Sequence, residues 1–143
     1  MVRMYQTIDL GRSAHLPDDD LVAAFESLTL EPGRFGHPDH VRLAHIYLSS
    51  FGLLQTLARY GEGLRALAAD NGAPDRYHET VTWALVILVH ERMAGRPGAP
   101  EDWPAFAARN PDLIRWRDGA FFEYYGPEIL ESEVARRTFV LPR

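Results

Sequence analysis

The chain contains no cysteine among its 143 residues. Disulfides, iron–sulfur clusters, zinc ribbons and thiol catalysis all need cysteine, so these classes are excluded. The sequence also lacks a glycine-rich phosphate loop after a strand and a Gly-x-Ser-x-Gly elbow. We therefore expect no covalent catalysis, and any chemistry must depend on other side chains.

Positive charge is scarce as well. Lys and Arg number 15 against 20 Asp and Glu, which gives a formal net charge of -5. Proteins that bind nucleic acid normally present a basic stripe that neutralises phosphates. The charge balance therefore predicts no nucleic-acid partner.

Long apolar runs are also missing. The longest strongly apolar run, Trp83 to Val89, is far shorter than the roughly 20 residues that cross a bilayer. The first ten residues contain no continuous apolar segment that could act as a signal peptide. We expect no membrane partner and a cytoplasmic location.

The residues that are present indicate one globular domain. Hydrophobic residues make up 46% of the chain and charged residues 24%, which is a usual globular balance. A chain of this length buries roughly 68% of the surface that its unfolded form exposes. Apolar residues recur at helical spacing, so we predict an all-α fold, a single-domain helical bundle with short C-terminal helices.

The pattern divides this domain into three parts. Residues 1–17 lack periodicity and are predicted to form an irregular N-terminal arm that docks on the body. Residues 18–95 form the helical core, and residues 101–143 form short helices that pack on it. Within the core the spacing predicts three longer helices near 39–50, 53–71 and 76–94, the last beginning near Asp75.

Three of the six histidines lie near predicted helix starts. His37 and His40 are three residues apart, which places them on one side of a helix, and His78 lies at the start of another. Three protein ligands and an open position are what a catalytic metal site requires. We therefore predict that these histidines bind a divalent transition metal, although the spacing does not distinguish Zn, Fe, Ni, Cu or Mn.

The three histidines can meet only if the helices run up, down and up, as short connections favour. At 1.5 Å per residue, the first helix would be about 18 Å long and the second about 28 Å. A bend at Gly52 or a tilted crossing must absorb the difference for the site to exist.

Other residues could complete a pocket. Glu79 is predicted to act as a general base or to orient a ligand histidine, because on a helix it would point about 100° from His78. Thr82, one turn after His78, and Tyr124 are predicted to bind a substrate. Whether the protein is an enzyme is left open.

Each of these residues also has a structural interpretation. His37 could cap a helix, His40 could bond to Tyr47 or a carbonyl, and Glu79 could stabilise the positive end of the helix dipole. Thr82 could bond the carbonyl of the preceding turn, and Tyr124 could help to seal the core. His45 and His90 are predicted to be packed in the core.

Several segments carry a family resemblance. They are Phe35-x-His-x-Asp-His-Val-Arg-Leu-Ala44, Arg76-Tyr-His-Glu-Thr-Val-Thr82, Asn110-Pro-Asp-Leu113 and Tyr124-Tyr-x-Pro-Glu-x-Leu130 followed by Ala135-Arg136. In combination, over about residues 35 to 141, they resemble a family of small bacterial hypothetical proteins. The family's pattern often has histidine in place of Gly36 and tryptophan in place of His45. The resemblance implies that His37, His40 and His78 have a role and that His45 has none. It implies no particular reaction.

Two functions follow as alternatives. The first is a pocket lined by histidines that binds a small molecule and a metal, with Glu79 moving protons. The second is a noncatalytic interaction or scaffold module, monomeric or a homo-oligomer such as a dimer, in which the histidines are structural. The second predicts an exposed apolar patch and no concave polar pocket.

Overall fold

The computed structural model describes residues 10–31, 33, 35–99, 101–116 and 118–143. The predicted all-α fold is confirmed: these residues form helices and no β-strand. The four longer helices are α1 (Asp18–Glu26), α2 (His37–Ser50), α3 (Leu53–Asp70) and α4 (Glu79–Ala94). The shorter ones are α5 (Trp103–Arg109), α6 (Pro111–Ile114), α7 (Phe121–Tyr124), α8 (Pro127–Leu130) and α9 (Glu133–Arg137). None of the helices described is long and apolar enough to cross a bilayer.

Helix α4 lies at the centre of the bundle. Its middle is apolar on every side, and such a helix must be surrounded by others. It packs against α2, α3 and α9, and Val86 and Val89 are fully buried. Helices α2 and α3 also pack on each other, so α2, α3 and α4 form the centre of the bundle.

Helix α4 begins later than the sequence predicts. A 3₁₀ turn at Pro74–Arg76 comes first, and His78 is extended rather than helical, with φ -135° and ψ 111°. The reason is a cap, because the His78 side chain accepts a hydrogen bond from the backbone N–H of Val81. The predicted 100° separation of Glu79 from His78 therefore does not apply, since only Glu79 lies in the helix.

The N-terminal segment docks on the start of α2. Residues 10–17 are not helical, whereas residues 1–9 of the predicted arm lie outside the described residues. The fully buried Asp39 carboxylate accepts hydrogen bonds from the backbone N–H groups of Arg12, Ser13 and Gly36 at 3.2, 3.1 and 2.8 Å. Asp39 thus fixes both the arm and the first turn of α2.

The predicted short C-terminal helices wrap the core. Helices α5 and α6 pack against α2, and α9 packs against α4. Arg92 of α4 donates two hydrogen bonds to Asp112, at 3.0 and 2.7 Å, and a third to Asn110 at 2.8 Å. This charge-assisted contact fixes α6 beside the core.

Candidate functional site

The starts of α2 and α4 open onto one cavity of about 1050 Å³, closed on another side by the second half of α3. His37, His40 and His78 all line it, as does Thr82. The lining also includes polar, apolar and aromatic side chains from α3, α4 and the connecting segments, among them Glu31, Phe35, Tyr60, Leu64, Leu67, Ala68, Asp70, Arg76, Tyr77, Val81, Leu85 and Trp116. The structure therefore brings the three predicted histidines to one space.

The unequal lengths of the helices help to form this cavity. The Tyr60 hydroxyl donates to the backbone carbonyl of His40, which fixes where α3 crosses α2. From this crossing, α2 has three more residues toward its start, whereas α3 continues to Asp70. At 1.5 Å per residue, α3 extends about 10 Å further. Its overhanging end, with Leu64 and Leu67, becomes a wall of the cavity.

His78 has both ring nitrogens engaged. Nδ1 accepts from the N–H of Val81 at 3.1 Å, so it carries no proton. Nε2 lies 2.7 Å from the carbonyl oxygen of Leu130, and since a carbonyl only accepts, Nε2 is the donor. His78 thus caps α4 and links it to α8.

His37 has one nitrogen engaged. Its Nε2 donates to the carbonyl of Leu113 at 2.8 Å, which joins the first residue of α2 to α6. Burial lowers the pKa of His37, and the bond to Leu113 opposes this shift. Its ring lies 5.2 Å from the Trp116 ring, centre to centre.

His40 is held by aromatic neighbours. Its Nδ1 lies 3.3 Å from the Tyr60 hydroxyl, and its ring centre is 4.3 Å from that of Phe35. Burial, with a smaller effect of nearby His37, lowers the pKa of His40 to about 3. The ring is therefore neutral at physiological pH. The sequence pointed to Tyr47 as its partner, but the Tyr47 hydroxyl bonds Glu26 instead.

The predicted metal site requires free nitrogen atoms on His37, His40 and His78. Within the described ranges, no group of three or more His, Asp or Glu side chains is arranged to hold a metal ion. His78 could become a ligand only by releasing Val81 or Leu130, because both of its nitrogens are in use. Metal binding by all three histidines stays a prediction that requires this rearrangement.

Glu79 lies beside the cavity rather than in its lining. Its Oε1 accepts from the Tyr77 hydroxyl at 2.5 Å and from Arg65 at 3.1 Å. Tyr77 does line the cavity. Burial and the bond to Glu79 raise the pKa of Tyr77 to about 12, so its proton is held firmly. Tyr77 thus joins the Glu79 carboxylate to the cavity.

The two predicted substrate-binding residues differ in position. Thr82 is buried and lines the cavity. Tyr124 is 42% exposed on α7 and is absent from the cavity lining. The lining also contains two tyrosines that were not predicted as site residues, Tyr60 and Tyr77. Tyr60 could have been found, because it continues the apolar stripe between Leu57 and Leu64 at helical spacing.

His45 lies toward the other end of α2 and is packed as predicted. It is 4% exposed, and its ring centre is 4.8 Å from that of Phe106. Its Nε2 is buried with no hydrogen-bond partner in the described structure. His45 does not line the cavity that contains the other three histidines.

No family model, curated protein or solved structure matches the chain. The family resemblance of the sequence segments therefore stays an expectation, and the function must be argued from the cavity itself.

Proposed function

We propose that this protein binds a small, neutral organic molecule in the cavity lined by His37, His40 and His78. The supporting observation is the cavity itself, which combines about 1050 Å³ of space with a lining of apolar and polar side chains. Small-molecule sites are typically clefts of about 300–1,000 Å³ with mostly apolar walls and a few polar groups that fix orientation. The second predicted function, a scaffold module, requires no such space.

The walls favour an apolar body in the ligand. Leu64 and Leu67 of α3 face the cavity together with Val81 and Leu85 of α4. Each Å² of apolar surface removed from water contributes about 25 cal/mol. Burial of a single aromatic ring in this cavity would thus supply much of the ligand's binding free energy.

The charges favour a neutral ligand. His37 and His40 have lowered pKa values because they are buried, so they present uncharged rings. Among the described residues, the formal charges in the lining belong to Glu31, Asp70 and Arg76, all of them exposed. A buried ionic group on the ligand would meet no charged partner inside this described part of the lining, and an unpaired buried charge is costly.

Catalysis would be a further step. The Tyr77–Glu79 pair is the arrangement through which a proton could leave the cavity, in line with the role predicted for Glu79. A divalent metal held by His37 and His40 would need additional ligands from the bound molecule or from a rearranged His78. Neither step is needed for binding.

The interaction-module hypothesis has one favourable observation. Trp116 and Phe122 are 40% and 39% exposed and pack edge to face at 5.1 Å. A partner or a second copy could cover these rings. The experiment below also separates this hypothesis from the cavity hypothesis.

The test uses ¹H–¹⁵N NMR to detect binding of a panel of neutral aromatic fragments that includes p-cresol. Ala68 lines the cavity, whereas its neighbour Ala69 in α3 is exposed and outside the lining. Ala68→Phe should occupy part of the space beside the apolar wall and weaken binding by about tenfold or more, the equivalent of about 1.4 kcal/mol. Ala69→Phe adds the same ring outside the cavity and should leave binding unchanged.

The proposal fails if no fragment shifts the cavity residues, or if Ala68→Phe binds as well as the natural chain. Shifts at Trp116 and Phe122 in all three proteins, with none at any other cavity residue, would favour the interaction module.

A further inference from the structure

We infer that the ligand of this cavity is an aromatic molecule that donates a hydrogen bond, a phenol or an N–H heteroaromatic, recognised by Nε2 of His40. This inference rests on the proposed function and goes beyond it by naming the chemical class of the ligand. It depends on which nitrogen of His40 carries the proton.

Tyr60 determines the tautomer of His40. Its side chain is fully buried, so water does not compete for its hydroxyl. The hydroxyl has one proton and lies 3.0 Å from the backbone carbonyl oxygen of His40, which can only accept. Its second contact, to Nδ1 of the same residue at 3.3 Å, must then run from Nδ1–H to the hydroxyl oxygen. His40 therefore carries its proton on Nδ1 and a lone pair on Nε2.

The lone pair of Nε2 remains available to a ligand. His40 lines the cavity, and no hydrogen bond joins its Nε2 to another described residue. The buried polar side-chain atoms without a partner in the described structure belong to His45, Thr56 and Trp103. Since Nε2 of His40 is not among them and forms no such bond, it keeps some accessible surface.

An acceptor that is fixed in this way selects its partner. A hydroxyl or ring N–H satisfies the lone pair, whereas an ether oxygen places a second lone pair against it. A site built to bond a donor discriminates against the analogue that lacks it, because its own buried polar group is then left unpaired. Nε2 of His40 would thus determine specificity as well as affinity.

Flat aromatic side chains surround this acceptor. The Phe35 ring packs against His40, and the Trp116 ring lies next to His37. Both rings line the cavity. A planar ligand can contact such faces in offset or edge-to-face geometry while its donor reaches His40.

The experiment compares p-cresol, 4-methylanisole and toluene in the natural protein and in His40→Phe. Phenylalanine keeps a flat ring beside Phe35 and removes the acceptor. The natural protein should bind p-cresol about tenfold more tightly than either analogue, as one hydrogen bond of about 1.4 kcal/mol implies. In His40→Phe this preference should disappear, with the affinity for toluene kept.

A second measurement does not depend on the variant folding. The ¹⁵N shifts of the His40 ring should show a proton on Nδ1 in the free protein, and the Nε2 signal should move when p-cresol is added but much less with toluene. Tyr60→Phe is expected to mix the two tautomers and reduce the preference severalfold.

The outcomes separate the two proposals. If all three probes bind in the cavity with equal affinity, or if His40→Phe still prefers p-cresol, the inference is wrong and the binding function stands. A proton found on Nε2 would also overturn it. If no probe enters the cavity, the binding function fails and the inference fails with it.

Discussion

The two ends of helix α2 use buried polar side chains in opposite ways. At the first turn, the Asp39 carboxylate accepts three backbone hydrogen bonds, and Nδ1 of His40 is paired with Tyr60. Further along, the His45 ring lies among aromatic side chains and its Nε2 has no partner within the described structure. The first end is an ordered polar network beside an open cavity, whereas the second contains a polar atom that packing alone accommodates.

This difference separates residues that shape the site from residues that fill the core. A satisfied buried polar network fixes geometry, while an unsatisfied buried atom only reduces stability. Substitutions at the first end should therefore destabilise the fold or change how its stability responds to pH. A substitution at His45 should instead stabilise the fold.

The largest effect is expected at Asp39. Asp39→Ala removes the shared acceptor of three backbone N–H groups, two of which belong to the docked arm at Arg12 and Ser13. Hydrogen bonds to charged groups contribute roughly 1.5–3 kcal/mol each and do not add fully. We expect the free energy of unfolding, measured by urea denaturation, to fall by about 3 kcal/mol.

The matched control is Glu62→Ala, which removes an exposed carboxylate from the middle of α3. Its effect should stay within about 0.5 kcal/mol. A loss at Asp39 no larger than this control would show that the network at the first end of α2 does not stabilise the fold.

The fold could be predicted from the sequence because it depends on local periodicity. The apolar stripes of α2 and α3 and the all-round apolar centre of α4 are visible in one dimension, and each helix is present. The start of α4 was misplaced because its cap is the side chain of His78, held in turn by Leu130 from 52 residues further along the chain. Such a contact leaves no local signal.

The candidate site could be predicted only in outline. The positions of His37 and His40 in α2 and the direction of the next two helices were enough to bring three histidines to one cavity. The roles of the rings depend on partners that are distant in sequence, namely Tyr60 for His40 and Leu113 for His37. The sequence shows which donors exist but not which of them are already engaged, so a metal site and a binding pocket looked alike.

A smaller effect, on the dependence of stability on pH, is expected at His40. The pKa of His40 is about 3 in the folded protein and about 6.5 in an unfolded chain. Below pH 6.5 the unfolded state therefore binds a proton that the native state does not, and stability falls as pH falls from 6.5 toward 3. The contribution of His40 is about 2 kcal/mol at pH 5.

His40→Phe removes this proton uptake. Between pH 7.5 and pH 5, its free energy of unfolding should therefore decrease by about 2 kcal/mol less than that of the natural chain. His15→Phe, at an exposed position, controls for the loss of an imidazole. Equal pH profiles for His40→Phe and the natural chain would mean that His40 is not held neutral by the fold.

The smallest effect, with the opposite sign, is expected at His45. Burial lowers the pKa of this residue against the opposing charges of Asp18 and Glu101 and a hydrogen bond to the backbone of Glu101, which indicates a ring desolvated without full compensation. His45→Leu removes the unpartnered Nε2 and keeps an apolar side chain beside Phe106. An unsatisfied buried polar group costs about 1–3 kcal/mol, part of which is recovered, so we expect unfolding to require about 1 kcal/mol more.

His15→Leu, made at an exposed site, should change stability by less than about 0.5 kcal/mol. A clear loss of stability in His45→Leu would show that the hydrogen bond of His45 to Glu101 outweighs the cost of the unpartnered Nε2, and the contrast between the two ends of α2 would then disappear.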